Sequence, residues 1–112
     1  MNEKTAKFAY VWEYLVQDDC LTQFRLMYGP QGKWVQLFVQ ADGYVRTELH
    51  GDISNPNRFL TIDYWTSKEA RDQFRQQFGS EFAALDKTCE QFTVEERFVG
   101  DFKLAEGSEQ NN

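Results

Sequence analysis

The stretch "RFLTIDYWTSKEARDQF", residues 58–74, holds the strand and the helix start that decide the fold. Residues 58–65 alternate, with Leu60, Ile62 and Tyr64 on one face and Phe59, Thr61, Asp63 and Trp65 on the other, which is typical of a β-strand. The next four residues, "TSKE", match a capping box in which the Thr66 hydroxyl accepts from the backbone N–H of Glu69. The stretch therefore predicts a strand that passes directly into a capped helix.

Beyond residue 69 the apolar residues follow a helical spacing. The stripe consists of Ala70, Phe74, Phe78, Phe82, Leu85, Cys89 and Phe92. Gly79-Ser80 is predicted to kink or divide this helix. The following residues, 93–102, predict a last strand with Val94, Phe98 and Phe102 facing inward.

Upstream, "KFAYVWEYLVQ" at 7–17 predicts a first strand. One face carries Phe8, Tyr10, Trp12, Tyr14 and Val16, and the other carries Ala9, Val11, Glu13 and Leu15. Because both faces are largely apolar, we expect this strand to be covered on both sides.

Between the first and third strands, "LMYGPQGKWVQLF" at 26–38 predicts a helix that Gly29 ends and a second helix that Pro30 restarts. The second helix would carry Trp34, Leu37, Phe38 and Ala41 on one face. A strand is the alternative for "WVQLFV", since the run holds valines and aromatics. A further strand is predicted at 43–51, with Val45, Thr47 and Leu49 opposed to Tyr44, Arg46, Glu48 and His50.

The resulting order, β-α-(α)-β-β-α-β, is the split β-α-β pattern of a ferredoxin-like α+β fold. It predicts a four-stranded antiparallel sheet with helices on one face, formed by a single domain over 1–102, and a disordered polar tail over 103–112. The second sheet face would also be apolar, because Phe59 and Trp65 share their face with Thr61 and Asp63. We therefore expect a homodimer packed sheet to sheet, the alternative being shielding by loops and charged side chains.

Composition excludes several functions. The net charge is −6 and the twelve Lys and Arg are scattered, so neither nucleic acid nor an anionic membrane is an expected partner. The N-terminus has no signal-peptide apolar region and no run approaches 18 apolar residues, which predicts a cytoplasmic protein. One histidine and two scattered cysteines predict no metal site. Aromatics make up 16% of the residues, which favours contact with a ligand or a second subunit.

Four segments, "YGPQGKWVQLF" at 28–38, "GYVRTEL" at 43–49, the 58–74 stretch and "EERFVGDF" at 95–102, resemble the dimeric α+β barrel superfamily. Its most similar branch is typified by the antibiotic biosynthesis monooxygenases, and the resemblance covers about residues 7–102. It implies a dimer with a pocket in each subunit between the sheet and the helices. The residues near such a pocket would include Tyr28, Trp34, Asp63, Trp65 and Phe78.

The resemblance implies cofactor-free oxygenation of an aromatic or otherwise apolar small molecule. The site then needs apolar walls, a base and a group that stabilises an anion. Tyr28, Trp34 and Trp65 are the candidate walls, Asp63 or His50 the base, and Arg46 or Arg75 the stabilising group. Family oxygenases often place an asparagine where this chain has Thr61.

Other interpretations stay open. A non-catalytic ligand-binding or stress-associated dimer of the same fold is the alternative function. Trp65 also fits a core residue, His50 a solvated one, and Asp63 a structural aspartate that must be hydrogen-bonded or raised in pKa if it is buried. Haem-degrading relatives use a tryptophan like Trp65 and a histidine in the helix that follows, but residues 71–78, "RDQFRQQF", contain none. No cofactor is therefore expected.

Overall fold

A computed structural model describes residues 4–105 and 107 of the chain. Its elements in chain order are β1 (Phe8–Val16), α1 (Leu21–Tyr28), α2 (Lys33–Phe38), β2 (Tyr44–Gly51), β3 (Arg58–Trp65), α3 (Lys68–Gln77), α4 (Gly79–Cys89) and β4 (Thr93–Lys103). Short 3₁₀ turns at Asp18–Cys20 and Glu90–Phe92 precede α1 and follow α4. The predicted α+β order is confirmed, and the strand alternative for the segment of α2 is wrong.

The sheet is antiparallel with strand order β2-β3-β1-β4, as expected of the split β-α-β pattern. β1 is central and pairs with both β3 and β4, so that Tyr10 lies opposite Asp63 on one side and Asp101 on the other. Directly opposite residues share a sheet face. The register therefore decides which side chains from different strands can meet.

The helices cover the sheet face that carries the alternate residues of β3 from Phe59 to Trp65. Phe59, Thr61, Asp63 and Trp65 are all buried, whereas Leu60, Ile62 and Tyr64 on the other face are only partly buried. The expectation that Phe59, Thr61, Asp63 and Trp65 form part of the second face is therefore wrong. The uncovered face, called the open face below, consists of Ala9, Val11, Glu13, Leu15, Arg58, Leu60, Ile62, Tyr64, Arg46, Glu48 and His50, together with Glu95, Arg97, Gly100 and Phe102 of β4.

A β-bulge in β2 changes the alternation predicted for that strand. The register places Tyr44 opposite Trp65 and Arg46 opposite Tyr64, so Val45 is an extra residue in the pairing. As a result Tyr44 and Thr47 share the helix-covered face, although a regular strand would separate them. Both are buried.

The bend between α1 and α2 is a four-residue turn. The Gly29 N–H donates to the Arg25 carbonyl at 3.0 Å and ends α1, and the Gly32 N–H donates to the Gly29 carbonyl at 2.9 Å. Pro30 occupies the second position of this turn, where its fixed φ is favourable. It therefore precedes α2, which begins at Lys33, and does not lie in that helix's first turn as predicted.

Two local predictions in the second half of the chain need correction. α3 is capped one residue later than predicted, because Ser67 and not Thr66 accepts from a backbone N–H, that of Ala70, at 3.0 Å. Val94 and Phe102 do not face inward and are 66% and 50% exposed, whereas Phe98 does lie on the helix-covered face, opposite Trp12 with ring centroids 5.5 Å apart, but is still 45% exposed. The reason is that β4 is an edge strand whose pairing with β1 shifts at two bulges. The predicted division near Gly79 is confirmed, since α3 ends at Gln77 and α4 begins at Gly79.

The C-terminal strand reaches Lys103, one residue beyond the predicted end of the domain. Residues 106 and 108–112 of the predicted disordered tail lie outside the described residues. Within the described ranges, no helix has the length and apolar character needed to cross a membrane.

Candidate functional site

A cavity of about 260 Å³ lies between the covered sheet face and the helices. Seven aromatic side chains form its walls, namely Tyr10, Trp12, Tyr14, Tyr28, Trp34, Phe38 and Phe82. Six polar ones complete the lining: Thr47, Thr61, Asp63, Arg75, Asp86 and Glu96. Ligand sites are typically apolar pockets with a few convergent polar groups, and this cavity has that composition.

β1 builds one wall because its alternation places every second residue on the covered face. Tyr10, Trp12 and Tyr14 line the cavity in turn, with ring centroids of Trp12 and Tyr14 6.4 Å apart. The Thr61 hydroxyl lies 3.5 Å from the Tyr14 hydroxyl at the floor. The run of aromatics that identifies β1 as a strand is therefore also the main wall of the cavity.

The bend between α1 and α2 brings Tyr28 and Trp34 to the same cavity, as the sequence predicts. Their ring centroids are 6.0 Å apart, and both side chains are buried. Burial raises the pKa of the Tyr28 phenol well above its usual range, so this residue stays neutral. The Trp34 indole Nε1 is buried and donates to no partner among the described residues.

Asp63 is the buried carboxyl of the site. It is 6% exposed, and its Oδ1 accepts a hydrogen bond from the Thr47 hydroxyl at 2.7 Å. Its Oδ2 accepts no hydrogen bond from any residue in the described part of the chain. Burial raises the pKa of Asp63 from 3.8 to about 7, and the hydrogen bond from Thr47 and the charge of Arg71 oppose that rise. The expectation that a buried Asp63 is hydrogen-bonded and raised in pKa is therefore met.

Thr47 connects Asp63 to a second buried hydroxyl. The Tyr44 hydroxyl lies 2.7 Å from the Thr47 hydroxyl oxygen. Burial raises the pKa of Tyr44 to about 12, so its hydroxyl keeps its proton at neutral pH. Tyr44, Thr47 and Asp63 thus form a continuous chain of hydrogen bonds at the floor of the cavity.

Two arginines of α3 lie on the same side of the cavity. Arg75 lines it, donates to the Tyr10 hydroxyl at 3.2 Å and stacks over the Phe82 ring at 4.0 Å. Arg71 is buried behind that wall, with its guanidinium 4.2 Å from the Tyr10 ring and hydrogen-bonded to both oxygens of Asp101. Arg75 is therefore the cation that a ligand can reach.

Four of the predicted site residues lie outside the cavity lining. His50 is on the open face, 55% exposed, and contacts Glu48 at 3.0 Å, because its register partner Leu60 faces away from the helices. Trp65 is 1% exposed and packs among Phe38, Tyr44 and Phe74 in the core. Phe78 stacks on Phe74 with ring centroids 5.5 Å apart. Arg46, the other candidate cation, also lies on the open face and contacts Glu48.

Sequence reasoning did not find several lining residues. Thr47, which lines the cavity, and its hydrogen-bond partner Tyr44, which does not, were missed because the bulge at Val45 is not visible in the pattern of apolar residues. Asp86 and Glu96 gave no signal beyond ordinary charged positions, since neither follows an apolar period. Tyr10, Trp12 and Tyr14 were recognised only as one face of a strand, and their aromatic character was the available sign of a pocket wall. The described residues contain no group of three or more His, Cys, Asp or Glu side chains suited to hold a metal ion.

Comparison with known proteins identifies the fold independently. The sequence model of the antibiotic biosynthesis monooxygenase (ABM) family matches residues 34–85, which run from Trp34 through β2, β3 and α3 into α4. No match was found among curated proteins. Over these residues the chain is similar to the ABM family. The resemblance predicted from the sequence is thereby confirmed.

Solved structures extend the likeness in fold over most of the chain. SnoaB, a cofactor-independent oxygenase from Streptomyces nogalater, superposes with a TM-score of 0.71 at 18% identity, over 91% of this chain and 96% of that one. A candidate antibiotic biosynthesis monooxygenase from Deinococcus radiodurans gives 0.72 at 13% identity, over 94% and 99%. PA3566 from Pseudomonas aeruginosa gives 0.62 at 10% identity, over 91% and 97%. At these identities the likeness establishes the fold alone.

Proposed function

We propose that this protein is a cofactor-independent oxygenase that acts on an aromatic small molecule with an acidic C–H or O–H group. The observation that carries the proposal is the Asp63 carboxyl, which is buried at an aromatic cavity and has one oxygen that accepts no hydrogen bond from the described residues. A general base is most useful when its pKa lies near the working pH, and the pKa of Asp63 is raised to about 7. SnoaB, which shares the fold, is a cofactor-independent oxygenase, and this supports the same class of reaction here.

The reaction needs a base, molecular oxygen and an acidic substrate R₂CH₂. Asp63 takes one C–H proton, and the electron pair of the resulting carbanion forms a C–O bond with O₂ to give a peroxide anion. That anion takes the proton back from Asp63 to give R₂CHOOH. Asp63 then takes the second C–H proton as the O–O bond breaks, and the hydroxide that leaves receives this proton. The balance is R₂CH₂ + O₂ → R₂C=O + H₂O, in which carbon is oxidised and oxygen is reduced.

The cavity lining suits these steps. Its aromatic walls match the faces of a planar substrate and exclude water, which strengthens electrostatic interactions inside the site. Arg75 lies on the same side of the cavity as the Tyr10–Asp63 pair and is placed to stabilise the negative charge that forms when the substrate loses its proton.

Oxygen uptake with 1,8-dihydroxyanthrone, a carbon acid with a planar aromatic frame, tests this function. We expect uptake above the protein-free rate, and a loss of about 10²- to 10⁴-fold in Asp63→Asn, because general base catalysis contributes that much. His50→Asn is the matched control: it removes the other candidate base, lies on the opposite sheet face and should retain the wild-type rate. Binding without oxygen uptake, or uptake unchanged in Asp63→Asn, would favour a non-catalytic ligand-binding protein.

We also propose that the protein is a homodimer joined through the open face. Val11, Leu60 and Ile62 lie at the centre of this face, where Val11 is buried and Leu60 and Ile62 are partly buried in the single chain. Ion pairs flank this apolar centre, since Glu13 accepts from both Arg58 and Arg97. A face with an apolar centre and a charged rim has the anatomy of a protein interface, and a two-fold axis would bury it against its own copy.

Light scattering after size-exclusion chromatography measures the mass directly. The wild type should give twice the chain mass of 13.2 kDa, and Ile62→Asp should give the single-chain mass because it places a charge at the centre of the interface. Leu26→Asp, at a residue of α1 that is 71% exposed away from the sheet, should remain dimeric. A wild-type protein of single-chain mass at micromolar concentration would refute the dimer.

A further inference from the structure

The Tyr44–Thr47–Asp63 chain of hydrogen bonds has a fixed direction when Asp63 is ionised. A carboxylate has no proton to give, so the Thr47 hydroxyl must donate its single proton to Asp63 Oδ1 at 2.7 Å. Thr47 can then only accept from Tyr44, whose hydroxyl is 2.7 Å away. All three side chains are at least nine-tenths buried, so water does not compete for these bonds.

We infer that Tyr44 and Thr47 are positioning residues that hold one oxygen of Asp63 and leave the other turned to the ligand in the cavity. This inference rests on the proposed function of Asp63 as the base and extends it to residues that do not touch the substrate's reacting atoms. Thr47 fixes the rotation of the carboxyl group, and Tyr44 fixes the rotation of the Thr47 hydroxyl. The arrangement commits Oδ1 to the protein and Oδ2 to the substrate.

The bulge in β2 makes this arrangement possible. Tyr44 lies opposite Trp65 and Thr47 lies opposite Asp63, so both side chains rise from the covered face of the sheet. The extra residue, Val45, puts Tyr44 and Thr47 on the same face, whereas residues three apart in a regular strand would point to opposite faces. β-bulges are common beside active sites because they re-aim side chains, and here the bulge aligns two hydroxyls with one carboxyl.

The charged and titratable groups around Asp63 decide how strongly the Tyr44–Thr47–Asp63 hydrogen bonds affect its protonation. Titratable or charged groups face it, or line the same cavity, from each packed element: Tyr10 and Tyr14 of β1, Tyr28 of α1, Tyr44 of β2, Arg71 and Arg75 of α3, Asp86 of α4, and Glu96 and Asp101 of β4. Burial favours the protonated acid, and the hydrogen bond from Thr47 and the charge of Arg71 favour the anion. Thr47 is the one residue of the described chain that donates a hydrogen bond to the carboxyl, so its loss removes the direct stabilisation of the anion.

The test measures Asp63 itself, by NMR titration of protein labelled with ¹³C at the aspartate carboxyl carbon, with Asp63→Asn used to assign the resonance. The wild type should titrate near pH 7. Thr47→Val keeps the shape of the side chain without the hydroxyl and should raise the midpoint by a pH unit or more, because the anion loses its donor. Thr47→Ser restores the hydroxyl and should titrate as the wild type does.

Tyr44→Phe tests the role of Tyr44 separately from that of Thr47. It leaves the Thr47 hydroxyl in place but removes its donor, so we expect a smaller rise in the Asp63 midpoint than Thr47→Val gives. The pH at half-maximal oxygen uptake with 1,8-dihydroxyanthrone should move by the same amounts in the same order. Unchanged midpoints in both Thr47→Val and Tyr44→Phe, with folding verified by circular dichroism, would overturn the inference.

The two proposals can fail separately. The NMR titration requires neither substrate nor turnover, so shifted midpoints in a protein that takes up no oxygen would leave the positioning role standing and defeat the oxygenase. If oxygen uptake depends on Asp63 but keeps its pH profile in Thr47→Val, the oxygenase would stand and the positioning role would be defeated.

Discussion

At the scale of single residues, Asp63 is the group in which structure and chemistry meet. A carboxyl that is 6% exposed and has one hydrogen-bond partner resists ionisation. Burial destabilises the carboxylate more than the single hydrogen bond from Thr47 stabilises it. The same property that makes the residue a useful base therefore reduces the stability of the folded protein once the base is ionised. Function and stability are set against each other at this position.

Asp63→Asn should therefore stabilise the protein in a pH-dependent way. Because the pKa of Asp63 is raised from 3.8 to about 7 in the folded state, the folded protein binds the proton more tightly than the unfolded chain does. This contribution is fully present below about pH 4 and is lost as the pH rises through about 7. Its total size is roughly 4 kcal/mol, taking about 1.4 kcal/mol per unit of pKa.

Urea unfolding of wild type and Asp63→Asn at pH 5 and pH 8 measures this effect. Asparagine can still accept from Thr47 but carries no charge, so the variant should be about 2 kcal/mol more stable than the wild type at pH 5 and roughly 4 kcal/mol more stable at pH 8. Equal differences in unfolding free energy at the two pH values would show that Asp63 is not raised in pKa.

Trp34 has both a core role and a cavity role. It is buried and packs on Phe82 with ring centroids 5.0 Å apart, so Trp34→Ala should cost about 3–5 kcal/mol. Trp34→Phe keeps an aromatic ring and removes an indole N–H that has no partner in the described chain, so it should retain the fold. Affinity for 2-naphthol, measured by calorimetry, should fall by about 2- to 10-fold because one aromatic contact is reduced.

Phe78→Leu is the control for Trp34→Phe. Phe78 is a partly buried aromatic of the same core, but it lies outside the cavity lining, so its variant should bind 2-naphthol as the wild type does. Equal losses of affinity in the two variants would mean that the effect of Trp34→Phe comes from general loosening of the core.

At the scale of elements, the close contact between α3 and the residue that precedes β2 depends on one glycine. A Cβ on Gly43 would lie 2.2 Å from the Ala70 Cβ and 2.9 Å from the Thr66 hydroxyl. Gly43 also accepts from the Thr66 N–H at 2.8 Å, so its backbone holds the start of α3 directly against the sheet. This contact fixes the helix that carries Arg71 and Arg75.

Gly43→Ala should destabilise the protein by about 1–3 kcal/mol, because the added methyl group forces α3 away from the sheet. Gly79→Ala is the matched control: nothing lies within 4 Å of the added carbon at the first residue of α4, and a gain of about 0.4–1 kcal/mol is expected from the unfolded chain. The midpoint of urea unfolding for each variant decides between strain at Gly43 and a general effect of replacing glycine.

The sequence predicts these elements well and their faces less well. β3 was predicted with its observed bounds, because strict alternation over 58–65 has a strand period. The prediction of which face of β3 the helices cover was wrong. Both faces of this strand carry apolar residues, so its pattern alone does not identify the covered face. Thr66 was chosen as the cap over Ser67 because both are good caps and the backbone geometry that selects one is not encoded in residue type.

The candidate site was predictable to the extent that it depends on alternation and turns. Tyr28, Trp34, Asp63 and Arg75 were predicted and line the cavity, since a helix–turn–helix and a regular strand place them. His50, Trp65 and Phe78 were predicted and do not line it. Thr47 and Tyr44 required the bulge, which depends on how β2 pairs with β3 and not on the composition of β2.

At the scale of the whole molecule, the sheet is the one layer between the cavity and the open face. Consecutive residues of β1 point in opposite directions, so Tyr10 and Trp12 line the cavity while Val11, between them, belongs to the open face. The strand is thus shared by the proposed ligand site and the proposed subunit interface.

This sharing has a thermodynamic consequence. A ligand that orders Tyr10 and Trp12 also orders Val11, so part of the entropy lost on dimerisation would already be lost in the liganded monomer. Ligand and partner subunit should then strengthen each other's binding by one common factor, as linkage requires. Sedimentation equilibrium with and without 2-naphthol would show a tighter dimer when the cavity is filled, and an unchanged dissociation constant would mean that the two sides of the sheet act independently.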